Sequence, residues 1–262
     1  MRSLKEGRLN VIVMGGMGQV GKALVKMLDK NETRAYILDK KGGFYPSEIL
    51  EYEFMHVTIP YTDYFFEAVR NAISKYNPRY VVVHSTVPVG TTRRIGSFAA
   101  HTPVRGQHNN LEDGMKRFVK YVGAHNPKTL NAVGTHLINS GFLIELWRKP
   151  EETELMKMLC LTRYLSDLSF YEVGFKACRR FGVAPSRLLQ WTNTYNDGYR
   201  GTKWQRPELT FPRGKVGGHC VLPVSKMLAN QVQYGWLKKN IQLFENACQE
   251  NACALKNSNG TF

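Results

Sequence analysis

The sequence predicts an α/β protein: a parallel sheet with crossover helices over residues 1–149, then a mostly helical region over 150–262 built on one long central helix. Three observations carry this. Through the first 148 residues, short apolar runs alternate with amphipathic helical patterns, the sequence form of repeated strand–helix–strand units. At Pro150 the alternation stops. From there Leu155, Met158, Leu159, Leu165, Leu168 and Tyr171 recur with the 3.6-residue period of a helix.

The strands expected from apolar runs are residues 9–14, 34–38, 54–59, 80–84, 118–123 and 142–146. Helices are expected at 18–30, 63–76 and 127–140. Asp63 suits the N-cap of the second, because its carboxylate can accept from free amides of the first turn. Asn77-Pro78 closes that helix, since the residue before proline avoids helical geometry. Pro150-Glu151-Glu152 opens the long helix, with proline early and acids facing its positive end. Gly182 ends it after roughly 30 residues, or about 45 Å. Such a helix carries more apolar surface than a small domain covers, so a homodimer is expected. A loop rich in Gly, Arg, Trp and Tyr follows at 196–218, and helices near 223–232 and 235–254 finish the chain.

The 262 residues are 43% apolar and 22% charged, which excludes a disordered or collagen-like chain. The apolar runs are too short for a membrane span, and the start reaches glycine too early for a signal peptide. Five cysteines, odd in number and without a C-x-x-C pair, read as reduced thiols in a cytoplasmic protein with no metal site. Thirty-six Lys and Arg against 21 Asp and Glu give a net charge of +15, which favours an anionic partner. The basic residues are scattered and no helix-turn-helix, zinc-finger or RNA-recognition pattern occurs, so a small anionic molecule is expected rather than nucleic acid.

Four motifs carry chemistry. After the first strand, Gly16-Met17-Gly18-Gln19-Val20-Gly21 has the G-x-G-x-x-G spacing of a Rossmann-type dinucleotide turn, and Asp39 ends the second strand. Gly16 permits the tight turn, Gly18 lets a pyrophosphate approach the backbone, and Gly21 lets the helix pack on its strand. Asp39 can bond the ribose hydroxyls and repel a 2′-phosphate, so NAD is the expected cofactor, with Lys40 and Lys41 pulling the other way. Ser85 and Thr86 open the segment after the fourth strand, at the sheet edge where ligands bind, and can hold a water or a substrate oxygen. Thr91 can instead serve as a helix cap. Lys157, one and a half turns into the long helix beside Glu154 and Leu161, can polarise a carbonyl or stabilise an alkoxide. Cys220, within Gly217-Gly218-His219-Cys220, precedes the helix near Pro223, where a thiolate is stabilised and can attack an aldehyde. Lys215, Gly217, Gly218 and His219 join Lys157 as candidate substrate-binding residues.

Together, the glycine turn with Asp39, the Ser85-Thr86-Val87-Pro88-Val89-Gly90-Thr91 segment, the Glu154 and Lys157 face of the long helix and the Gly217-Gly218-His219-Cys220 segment resemble the UDP-glucose/GDP-mannose dehydrogenase family. The resemblance implies oxidation of a primary alcohol on a sugar nucleotide to an aldehyde, then through a cysteine thioester to a carboxylate, with two NAD reduced. Departures mark a shortened, divergent member. His101-Thr102-Pro103-Val104-Arg105-Gly106 stands where the family carries a glutamate-bearing S-P-E-F segment. Leu161 replaces an asparagine four residues after the lysine, Val224 replaces an aspartate four residues after the cysteine, and the family's C-terminal domain is expected to be missing. His101, His108 and His219 are candidate bases for thioester hydrolysis in place of the lost groups. The two other readings are a two-electron 3-hydroxy-acid-type dehydrogenase relying on Lys157 alone, and a non-catalytic NAD-binding protein.

Overall fold

A computed structural model describes residues 8–29, 33–40, 42, 46–47, 50–106, 111–203 and 220–257. The chain divides into two units, 1–157 and 158–262.

In the first unit, seven strands form one sheet: β1 (Leu9–Met14), β2 (Thr33–Leu38), β3 (Phe54–Val57), β4 (Tyr80–Val83), β5 (Ala99–His101), β6 (Lys120–Gly123) and β7 (Ile144–Trp147). Their order is β2-β1-β3-β4-β5-β6-β7. Helices α1 (Gln19–Leu28), α2 (Phe65–Tyr76), α3 (Thr91–Ile95), α4 (Leu111–Arg117) and α5 (Pro127–Asn139) connect them. The alternation of side chains splits the core in two. Val11, Val13, Phe54, Val82, Ala100 and Val122 pack with Leu24, Met27, Met115, Val133 and Leu137. Ile12, Met55, Val57, Val81 and Val83 pack with Phe65, Val69 and Tyr76. Strands buried on both faces read as nearly continuous apolar runs, broken here by Asn10 in β1 and His56 in β3, which is why β1, β3 and β4 stand out in the sequence.

This is a mostly parallel Rossmann-type sheet, with three departures from the expected pattern. β5 pairs antiparallel with β6, and β6 pairs parallel with β7, so the last two strands run opposite to the first five. β5, α3 and α4 are additional elements. Asp63 is not the N-cap of α2; Tyr64 holds that position without a side-chain bond, while Asn77 closes the helix in the left-handed region at φ 44°.

The long helix α6 (Pro150–Arg180) contributes its first eight residues to the first unit and the rest to the second, which also holds α7 (Ser186–Gly198), α8 (Val221–Val232) and α9 (Gly235–Asn257). Here Leu165 and Leu168 pack against Val221 and Phe244, so the terminal helices cover part of the apolar stripe. Leu159 was expected on that stripe and is exposed instead. Among the described residues, no helix is long and apolar enough to cross a membrane.

Candidate active site

The strand order reverses between β1 and β3, which opens a crevice beyond the carboxyl ends of these strands. The glycine turn lies there. Gly15, not Gly16, makes the tight turn: its φ is +86° and its amide donates to Leu38 O at 2.8 Å. Gly16 is needed for packing, since a Cβ there would lie 2.8 Å from Ile37 Cγ2. A Cβ on Gly21 would lie 2.6 Å from Gly16 Cα, so only glycine lets α1 approach the turn. Gly18 meets only Gly15 O, at 3.3 Å, and leaves its outer side open. Gln19 and Val20 begin α1, whose free amides face the crevice. Asp39 Oδ2 accepts from Met17 N at 3.0 Å, which fixes a carboxylate at the edge of the turn. Lys40 beside it is exposed, and Lys41 lies outside the described residues.

The loop after β4 is tied inward. Ser85 Oγ donates to Ile59 O at 2.6 Å, and half-buried Thr86 follows it. Thr91 does not cap α3 with its hydroxyl, which donates to Pro88 O at 2.7 Å. The start of α3 is held by Glu154, a fully buried side chain whose two oxygens accept from Gly90 N at 2.6 Å and Thr92 N at 2.8 Å. Burial raises the Glu154 pKa, against the lowering effect of the Thr92 and Gly90 amides.

Lys157 is not a solvated helix lysine. It is half-buried, and its Nζ donates to Val104 O at 2.8 Å. Lys120, which the sequence reading passed over as a strand residue, is 4% exposed, and its Nζ donates to Thr102 O at 3.0 Å. Burial, with Lys157 nearby, lowers the Lys120 amine to about 7. Two amines thus grip the carbonyls of the 102–104 segment, which replaces the expected carboxylate-bearing one. Beside it, Pro103, Arg105, Met115, Phe118, Val119 and Lys120 line a shallow pocket.

His101 cannot serve as the replacement base. It is fully buried; its Nε2 lies 3.2 Å from Ser85 O and so carries the hydrogen, and its Nδ1 lies 2.7 Å from Thr153 Oγ1. Burial lowers its pKa to about 3, and both nitrogens are engaged. His101 positions the Ser85 backbone. His108, Lys215, Gly217, Gly218 and His219 lie outside the described residues. In the second unit, Cys220 is half-buried, in no disulfide, and stands at the N-cap of α8, so the helix begins two residues before Pro223. Glu154 and Lys120 were the residues least accessible to sequence reasoning. Glu154 carried a hint in its spacing from Lys157; a lysine inside the apolar run 118–123 was the corresponding hint for Lys120.

No family model and no curated protein matches the sequence. Solved structures share its fold. One is a UDP-D-ManNAc dehydrogenase from Pyrococcus horikoshii, with a TM-score of 0.77, 15% identity, 95% of this chain and 71% of that chain covered. Another is a UDP-glucose dehydrogenase from Pyrobaculum islandicum, at 0.68, 16%, 95% and 70%. A third is a 3-hydroxyisobutyrate dehydrogenase from Mycobacterium tuberculosis, at 0.68, 13%, 91% and 93%. At these identities the likeness is one of fold.

Proposed function

We propose that this chain is an NAD-dependent dehydrogenase that oxidises an alcohol of an anionic sugar or sugar-nucleotide-like substrate, with Cys220 carrying the aldehyde on to the acid as a thioester. In this reading residues 1–149 bind the dinucleotide, residues 150–262 bind substrate and dimerise, and the protein acts in the cytoplasm. The observation that carries it is the turn in which only glycine fits at Gly21 while the Asp39 carboxylate stands 3.0 Å from Met17 N, at the sheet's switch point. The fold shared with sugar-nucleotide dehydrogenases supports it.

NAD, when bound, supplies the hydride acceptor. Gly16 to Gly21 and the start of α1 hold its pyrophosphate, Asp39 its ribose, and Ser85 and Thr86 line the nicotinamide end. Lys157 presents its amine to the developing alkoxide, with a water on Thr86 completing the contact. The Cys220 thiolate adds to the aldehyde carbon; a second NAD, replacing the NADH formed first, would take the hydride whose loss gives the thioester, and water releases the acid and returns the thiol. The basic residues Lys157, Lys215 and His219, with the Gly217-Gly218 backbone, meet the substrate's negative charge.

A two-electron 3-hydroxy-acid-type reaction is the second reading, favoured by the placement of Lys157 in the same unit as the glycine turn, which needs nothing from Cys220. Counting NADH formed per substrate consumed separates them. Two NADH in the unmodified protein and one in Cys220→Ser, with aldehyde accumulating, is the expected result. One NADH in both proteins selects the second reading. NAD binding with no turnover on sugar nucleotides or hydroxy acids leaves a non-catalytic cofactor-binding protein.

A further inference from the structure

The shallow pocket beside the 102–105 segment has two cationic side chains in its wall, Lys120 and Arg105, while Pro103, Met115, Phe118 and Val119 line the rest of it with apolar groups. Lys120 is 4% exposed. Its Nζ donates to Thr102 O at 3.0 Å and Pro103 O at 3.4 Å, so at least one N–H of an ammonium there has no acceptor among the described residues. Lys157, on Val104 O at 2.8 Å, brings a third amine to the same segment. Among the described residues, no carboxylate lies within ion-pairing distance of Lys120 or Arg105. A lysine is seldom this buried without an anion beside it. Burial, with Lys157 nearby, lowers the Lys120 amine to about 7, the direction expected of an ammonium that lacks a counter-ion.

Arg105 is exposed but held in place. Its guanidinium carbon lies 5.3 Å from the centroid of the Phe118 ring and 5.7 Å from that of Tyr121, and Tyr121 is braced by Trp147 with ring centroids 4.5 Å apart. Ring contacts occupy the face of a guanidinium and leave its edge, where the N–H donors lie in one plane. That edge matches two oxygens of a carboxylate or phosphate. Arg79 gives the contrast: it too lies over a ring, that of Tyr80, but its guanidinium is paired with Glu53 at 3.1 Å.

We propose that Arg105 and Lys120 form a subsite for an oxyanion, a carboxylate or phosphate group of a small molecule, with the Arg105 edge taking two of its oxygens and the Lys120 ammonium donating from the pocket wall. The apolar side chains around the two cations lower the local dielectric and strengthen such charge-assisted bonds. The glutamate-bearing segment expected here would accept from substrate hydroxyls; this one presents donors and selects a group that only accepts. That the oxyanion belongs to the substrate rests on the dehydrogenase reading, whereas the subsite itself does not.

Sulfate, which keeps its charge throughout the working pH range, is the probe. In ¹H–¹⁵N spectra of the full chain at pH 6, with Arg105 Nε–H identified by its absence from Arg105→Lys, sodium sulfate added at constant ionic strength should move that signal along a saturating curve. Lys120→Met should weaken the fitted affinity by at least about tenfold; should that variant fail to fold, Lys120→Gln, which keeps a donor for the Thr102 carbonyl, carries the same expectation. Arg79→Ala, which lowers the net charge equally, should leave the affinity unchanged. A signal that does not saturate, or an affinity unaffected by loss of the Lys120 charge, overturns the proposal; so does an equal loss in Arg79→Ala, since sulfate would then be collecting on net charge alone. Turnover reads the source of the anion. With NAD and an anionic substrate, competition by sulfate and a KM raised at least about tenfold in Arg105→Ala assign the subsite to the substrate; sulfate that binds Arg105 without competing assigns it to a separate small molecule. If the unmodified protein forms no NADH, the dehydrogenase reading falls and the sulfate titration alone decides the subsite.

Discussion

On the dehydrogenase reading, cofactor choice turns on one side chain, Asp39. Its carboxylate is held 3.0 Å from the Met17 amide, so it cannot swing away from a ligand without breaking that bond. A 2′-phosphate brought to the same edge meets a fixed like charge, and two charges at about 4 Å near a protein surface repel by up to about 4 kcal/mol. Exposed Lys40 offsets part of this. NADP should therefore bind at least about tenfold more weakly than NAD, about 1.4 kcal/mol, and Asp39→Asn should narrow the gap mainly by tightening NADP. Titrating both cofactors against both proteins checks this; equal affinities in the unmodified protein would mean that Lys40 outweighs Asp39.

Elements here are held as much by distant side chains as by their own sequence. α3 has only five residues and no side-chain cap, and Glu154 from α6 supplies acceptors for its Gly90 and Thr92 amides. Glu154→Gln keeps the shape but turns an NH₂ towards one of two N–H donors. The loss should be about 1–3 kcal/mol of stability, read in denaturant melts, with weaker NAD binding because α3 continues the Ser85-Thr86 loop. Unchanged melts would show that α3 stands without the carboxylate. The same non-locality explains which parts were legible in the sequence. β1 was read to the residue because Leu9–Met14 is one apolar run before glycine. β5 was missed because Ala99-Ala100-His101 is three residues long and has no β-branched side chain. α3 was missed because its start is completed by a residue more than 60 positions away. The turn with Asp39 followed from spacing alone, whereas Lys120 acquires its altered amine from burial and from Lys157, 37 residues further along the chain. Buried His56 meets His84 and His136, which lie 28 and 80 positions away, and no local pattern records this.

At the scale of the whole molecule, two quantities can be measured. In the second unit Phe170 and Val173 on α6, and Phe181 just past its end, are exposed, Phe181 by 76%, although the terminal helices cover Leu165 and Leu168. A homodimer burying these side chains should give twice 29.9 kDa in light scattering, and Phe170→Glu should return the monomer; a monomer in the unmodified protein at micromolar concentration would remove the case for this interface. The second quantity is stability against pH. His56, His84, His101 and His136 are all buried, and burial is the largest cause lowering each pKa, to about 3 for His101 and about 4 for His136, from 6.5 in the unfolded chain. Between pH 6.5 and about 4 the unfolded state therefore binds more protons than the folded one, so the stability these rings contribute is fully present above this window and is lost as pH drops through it. Near pH 5 His101 and His136 alone should take up close to two protons on unfolding, a slope of about 3 kcal/mol per pH unit, and the lowered pKa values of His56 and His84 act in the same direction. Lys120, lowered from 10.5 to about 7, extends the same sign, and stability should keep rising from pH 7 towards 10. Denaturant melts from pH 4.5 to 9 measure both limbs: His136→Phe should remove about one proton from the acid slope, and Lys120→Met should flatten the alkaline rise. If the acid slope is unchanged in His136→Phe, that ring is not neutral in the fold, and the N–H···N bonds of His56 to His84 and His136 cannot both be made between neutral rings.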